Sequence, residues 1–225
     1  MIERPILFSA PMVRALLAGT KTQTRRVVKL PRRMVGGDLA AAFAGKMLGV
    51  TPGLHVPMPD GSVQRLRNPW GWPEPSRLWV RETFVLQRNV EDEPPPFRDG
   101  RPIKRGTGDY ESSWWQPHYR ATDPTPELYY EDSEDPACRW RPSIFMPRWA
   151  SRITLEVIRV RVERLHGINE ADAVAEGADW GACGGPQIGS HRAGYAALWE
   201  QINGPGTWDA NPWVWVVEFQ RIDSA

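Results

Sequence analysis

The densest group of chemistry-bearing side chains lies near the start of the chain, in Gly19-Thr20-Lys21-Thr22-Gln23-Thr24-Arg25-Arg26. It packs a lysine, three hydroxyls and two arginines into a turn that follows a short apolar segment. A guanidinium is a planar fork that suits phosphates and carboxylates. A lysine amine becomes a base when burial or neighbouring cations depress its pKa. If the stretch runs out as a strand, Thr22, Thr24 and Arg26 share one face. The same residues also suit a solvated basic strand edge, which deters edge-to-edge aggregation.

These residues need elements to aim them. Ser9 as cap, Pro11 in the first turn and the stripe Met12, Val13, Leu16 and Leu17 predict a short helix that stops at Gly19. The β-branched run to Val28 then predicts a turn leading into a strand. Leu78–Phe84 reads as a strand. Ser151–Leu165 alternates strongly, with a phase slip between Val157 and Ile158 that a bulge would accommodate. Asn169–Glu176 reads as a helix with Asn169 as cap, Ile168 as staple and Gly177 as stop. Ser190–Asn203 reads as a second, with Tyr195, Leu198, Trp199 and Ile202 inward. Val214–Gln220 is the closing strand. The β-α-β alternation of a parallel sheet is missing, so the expected class is α+β with a mostly antiparallel sheet or barrel and a few short flanking helices. We expect a single domain over 1–225, with long insertions at about 30–75 and 86–140. The first holds at most a short helix at Leu39–Leu48. The second contains an acid-rich stretch from Glu127 to Asp135.

Composition narrows the function classes. A chain of 225 residues with 41% hydrophobic and 24% charged side chains can bury a substantial core. A net charge of +1 excludes a whole-molecule basic field, so nucleic acid would have to be met by local patches such as Lys21-Arg25-Arg26-Lys29, Arg32-Arg33 or Lys104-Arg105. The two cysteines, Cys138 and Cys183, are far apart and outside any CxxC pair, which reads as reduced thiols. His55, His118, His166 and His191 have no HxxxH spacing, so no metal and no cofactor are expected. Glu131, Asp132 and Glu134 could serve a metal but read first as a solvated loop. The N-terminal pattern fits no signal peptide, and no apolar run approaches the roughly 20 residues of a membrane span. A soluble, cytoplasmic protein is expected, with no membrane contact.

Four stretches, in order, resemble the ASCH-domain proteins of the PUA-like superfamily. They are "ILFSAPMVRALLAGTKTQTRR" at 6–26, "LWVRETF" at 78–84, "ITLEVIRVRVERLHGINEADAVAEG" at 153–177 and "WVWVVEF" at 213–219. "RPSIFMPRWASRITLEV" and "INGPGTWDANPWVWVVEF" look like the members common in phages and prophages, which would place the protein in a bacterial host cytoplasm. The resemblance covers a little over a third of the chain. It implies a PUA-like β-barrel with a pocket for a nucleobase or a short stretch of RNA or modified DNA. It also implies an activity, because a small bacterial ASCH enzyme hydrolyses the acetyl amide of acetylcytidine. Its lysine, threonine and acidic residue match Lys21, Thr24 and Glu176 here. In that scheme Lys21 takes the proton of Thr24, Thr24 attacks the acyl carbonyl, and Glu176 protonates the departing exocyclic amine. Thr22, Arg25, Arg26, Arg81 and Glu82 are the candidate substrate contacts. Arg26 and Arg81 are the ones suited to a phosphate, a base edge or the oxyanion. Arg81 and Glu82 could equally pair with barrel neighbours, and Glu176 could be a surface acid at a helix end. The chain departs from the small enzyme in being about twice as long and in having Arg25 at an apolar position. A non-catalytic RNA or modified-DNA reader, or a metal-dependent ribonuclease, are the alternatives on the same scaffold.

Overall fold

A computed structural model describes residues 2–29, 53–57, 63–67, 76–89, 104–105, 114–126, 139–177 and 189–222. The strands are β1 (Ile2–Leu7), β2 (Gln23–Val27), β3 (Gly53–Pro57), β4 (Val63–Arg67), β5 (Ser76–Arg81), β6 (Phe84–Asn89), β7 (Lys104–Arg105), β8 (Trp114–Tyr119), β9 (Thr154–Arg164) and β10 (Trp213–Ile222). The helices are α1 (Ala10–Leu17), α2 (Glu170–Ala175) and α3 (His191–Asn203). The class is therefore α+β. The largest sheet is mixed, with strand order β1-β5-β9-β10-β2, and among the described residues it does not close into a barrel. None of the described helices is long and apolar enough to cross a membrane.

The chain divides into two compact units. One comprises Met1–Ile2, Thr20–Ser76 and Glu156–Gln220; the other comprises Glu3–Gly19, Arg77–Leu155 and Arg221–Ala225.

In the first unit, β10 pairs antiparallel with β2, so that Val216 lies opposite Arg25 and Val217 opposite Thr24. Residues directly opposite share a sheet face. Val214 and Val216 thus project on the side of Gln23 and Arg25. There they join Leu165, Ile168, Ala173, Tyr195 and Trp199 in an apolar core, with Trp208 against it. Tyr195 and Trp199 are one helical turn apart on α3 and form its buried stripe. Ile202 shares their face one turn later and is 52% exposed, which corrects the expected stripe: the core cluster ends at Trp199.

Capping fixes both helices of this unit. The Ser190 hydroxyl accepts from the Ala193 amide. Asn169 accepts from the Asp172 amide at 2.8 Å, and the Asp172 carboxylate reaches back to the Asn169 amide, completing a capping box. Gly177 follows α2 with φ of 72°, a left-handed conformation that a side chain would oppose. Asn169→Ala should therefore cost about 1 kcal/mol of stability in a urea titration, with the slope of the transition unchanged.

The second unit packs Phe84, Leu86, Tyr119, Met146 and Ala150 together, with Trp115 and Trp149 against them. The Tyr119 hydroxyl donates to the Ala150 carbonyl at 2.9 Å. Here the expected strand Leu78–Phe84 is two strands. β5 ends at Arg81, whose carbonyl accepts from Phe8, and β6 starts at Phe84, which bonds Arg141 in both directions. The two expected insertions also contain strands that patterning did not disclose. β3 and β4 form an antiparallel hairpin inside 30–75. β8 lies between β6 and β7 inside 86–140. Pro57 and Pro117 sit within these strands, and proline cannot donate to a ladder, so it argues against a strand when read locally. β9 runs unbroken through the phase slip at Val157–Ile158. The expected helix Leu39–Leu48, the acid-rich stretch and both cysteines lie outside the described residues.

Candidate functional site

The segment leading into β2 alternates toward α2. Lys21, Gln23 and Arg25 each bond α2 or the residue that ends it, while Thr22 is exposed. Backbone pairing fixes this register: the Thr22 amide donates to Ala175 O at 2.8 Å, and Thr22 O accepts from Phe219 at 2.9 Å. Asp172 and Glu176 are four residues apart, so α2 offers both carboxylates on one face.

Lys21 is wholly buried. Its ammonium donates to Gln23 O at 2.8 Å, Glu176 O at 2.7 Å and the Glu176 carboxylate at 3.1 Å. Burial pulls the Lys21 amine below its ordinary value; the Glu176 carboxylate opposes that pull, and the Arg26 and Arg25 guanidinium groups add to it. Arg25 is also buried. One terminal nitrogen donates to Glu176 at 3.1 Å, and the other to Glu163 at 2.6 Å and Asp172 at 3.1 Å. Its Nε is buried with no acceptor among the described residues. Burial alone would lower the Arg25 pKa, but Glu176 and Glu163 outweigh it and raise it.

The network continues outward. Gln23 Nε2 donates to the Asp172 carbonyl and carboxylate. Arg161 pairs with Glu163 at 3.1 Å, with Asp172 at 3.4 Å and with Glu218. Burial pushes the Asp172 carboxyl up, yet the Gln23 hydrogen bond and the Arg25 charge bring it below the usual value. Tyr195, buried in the core below, has its phenol pushed well up by burial and then by the Glu176 charge. Lys21, Arg25 and Arg161 thus face Glu176, Asp172, Glu163 and Glu218 in one cluster, most of it out of water.

Thr24 and Arg26 alternate to the other face of β2, the face that carries Trp215 and Val217 of β10. Thr24 is buried. Arg26 is within electrostatic reach of both Glu176 and Lys21; burial lowers its pKa, and Glu176 opposes that. Arg81 and Glu82 belong to the second unit. Arg81 donates to Ile144 O at 3.1 Å and lies 4.6 Å over the Trp79 ring. Glu82 is buried with both oxygens held by Arg152, at 2.9 and 3.0 Å, and burial pushes its carboxyl up.

Of the residues singled out in the sequence, the structure joins Lys21, Arg25 and Glu176 directly. Arg25 meets protein carboxylates on both terminal nitrogens, which makes it a positioning group for α2. Gln23, Arg161, Glu163 and Asp172 are partners the sequence did not flag. Two signals pointed to them: the four-residue spacing of Asp172 and Glu176, and the alternation that puts Arg161 and Glu163 on one face of β9.

No family model, curated protein or solved structure matches the chain.

The geometry itself limits the chemistry. Moving the Lys21 proton along its 3.1 Å hydrogen bond to Glu176 creates a neutral amine and a carboxylic acid together, a base and an acid in one step. Burial penalises the charged form of Lys21, while the Glu176 carboxylate beside it favours that form. The Arg25 guanidinium holds the other Glu176 oxygen at 3.1 Å.

Proposed function

We propose that this chain is an amidohydrolase that removes an acyl group from the exocyclic amine of a cytosine nucleoside or nucleotide, on a PUA-like, ASCH-type scaffold. One observation carries the reading: Lys21 is buried and hydrogen-bonded to the Glu176 carboxylate, a residue 155 positions away. A buried ion pair is weak evidence for stability, since apolar residues of similar volume often serve as well or better. A buried lysine of lowered pKa beside a carboxylate is what general-base chemistry needs. In this scheme neutral Lys21, on the α2 side, takes the proton of Thr24, on the opposite face of β2, by way of a water rather than a direct contact, and Thr24 Oγ adds to the acyl carbon. The C–N bond breaks as Glu176 delivers a proton to the leaving amine, and water then releases the carboxylate from the Thr24 ester. Arg26, on the Thr24 side of β2, is the cation suited to the developing oxyanion.

Incubation with acetylcytidine, followed by chromatography, should yield cytidine and acetate in equal amounts. A folded protein that turns over none of a panel of N-acylated cytosines, as base, nucleoside and nucleotide, overturns the reading.

A further inference from the structure

We infer that Tyr195 is a further substrate-contacting residue of the Lys21–Glu176 site, its phenol O–H donating to the ring nitrogen next to the acylated amine. The inference rests on the amidohydrolase reading and names a group that recognises the base. Neighbours on two elements fix where Tyr195 sits. It packs in one core cluster with Ala173 of α2 and with Val214 and Val216 of β10. Ala173 is three residues before Glu176, so the two are neighbours on one side of α2. Val216 lies opposite Arg25 in the β2–β10 pairing, so those two share a sheet face. Glu176 and Arg25 are themselves joined at 3.1 Å. Tyr195 therefore packs against the immediate neighbours of both members of that pair.

The ring is held by other aromatics. Trp199, one turn along α3, lies 6.2 Å away between ring centres, and Trp208 meets it edge-on at 6.4 Å. The hydroxyl is different: among the described residues it has no hydrogen-bond partner. A buried tyrosine ordinarily finds one. Tyr119, the buried tyrosine of the other unit, donates to the Ala150 carbonyl at 2.9 Å. Burial pushes the Tyr195 phenol well up and the Glu176 charge pushes it further, with Arg25 and Arg26 opposing. The hydroxyl thus keeps its proton near neutral pH and offers a donor to whatever stands beside Glu176. In a cytosine ring the exocyclic amine is flanked by a ring nitrogen that carries a lone pair. An amine placed to receive the Glu176 proton brings that acceptor to the same end of the site. A site built to hydrogen-bond one atom of its substrate rejects an analogue that lacks it.

The test compares kcat/KM for acetylcytidine and for its 3-deaza analogue, in which that ring nitrogen is a C–H, in wild type and Tyr195→Phe. Tyr195→Phe should process acetylcytidine about tenfold more slowly. Wild type should favour acetylcytidine over the analogue by a ratio about tenfold larger than the variant's, and any intrinsic difference in reactivity between the two compounds cancels in that comparison. The urea midpoint of Tyr195→Phe should be unchanged or higher, because phenylalanine fills the same space and the protein loses no bond. Turnover by Tyr195→Phe as fast as wild type overturns the inference and leaves the amidohydrolase reading standing. So does an undiminished preference in the variant, or a lowered urea midpoint with both substrates slowed equally, which would make the hydroxyl part of the fold. Absence of turnover by wild type overturns the amidohydrolase reading and this inference with it.

Discussion

Arg25→Met should be among the most destabilising single substitutions in the chain, costing about 3–5 kcal/mol in denaturant unfolding. The methionine fills much of the same volume, so the loss is electrostatic rather than a cavity. Glu176 and Glu163 lose a direct charge-assisted bond, and Asp172 loses one as well. Glu176 is nearly inaccessible to solvent, so water cannot replace the guanidinium there. Glu163 and Asp172 retain Arg161 and are partly exposed, so they contribute less. The double variant Arg25→Met with Glu176→Gln should recover little of the loss, because it leaves the buried Lys21 ammonium without its carboxylate. A loss below about 1 kcal/mol for Arg25→Met would contradict the account of α2 as a helix held by this guanidinium. Arg25→Lys should recover little, since one ammonium cannot span three carboxylates set around a planar fork.

Thr24→Val should abolish turnover of an N-acylated cytosine, by a factor on the order of 10⁴, with the protein still folded. Valine keeps the shape and β-branching of threonine but has no oxygen to attack with. Thr24 lies in the middle of β2 opposite Val217, so another β-branched residue fits the strand. Thr24→Ser keeps the nucleophile and should retain measurable activity, which a purely structural role for the side chain would not require. Equal activity in Thr24→Val and wild type would exclude threonine as nucleophile while leaving the Lys21–Glu176 pair to be explained otherwise.

Much of the frame was legible in the chain because local signals agreed with the global arrangement. Asn169 and Gly177 bracket α2, Ser190 caps α3, and the β-branched runs of β9 and β10 are strands. What escaped had local chemistry opposed to its tertiary context. Pro117 lies within β8 opposite Leu86 of β6, and the ladder with β7 stops at Trp115, short of the proline. Ile202 has the helical phase of a core residue and no core at its level. At the site, the resemblance pointed to Lys21, Thr24 and Glu176, while the strand reading put Thr22, Thr24 and Arg26 on a common face. The complementary set, Lys21, Gln23 and Arg25, is the one that meets α2. Phase alone gives two faces and cannot say which of them meets a helix lying more than 140 residues further along. Nor could residue type separate an arginine that meets substrate from one that meets three carboxylates.

The central claim is that Lys21 is the base of an acyl-transfer site, and one comparison tests it most directly. Wild type and Lys21→Ala are incubated side by side with acetylcytidine, both verified as folded, and cytidine is separated by chromatography over time. The account predicts steady release of cytidine by wild type and a rate at least about 10³-fold lower in the variant. Equal rates in the two proteins, or no cytidine from wild type across the acyl panel, would contradict it.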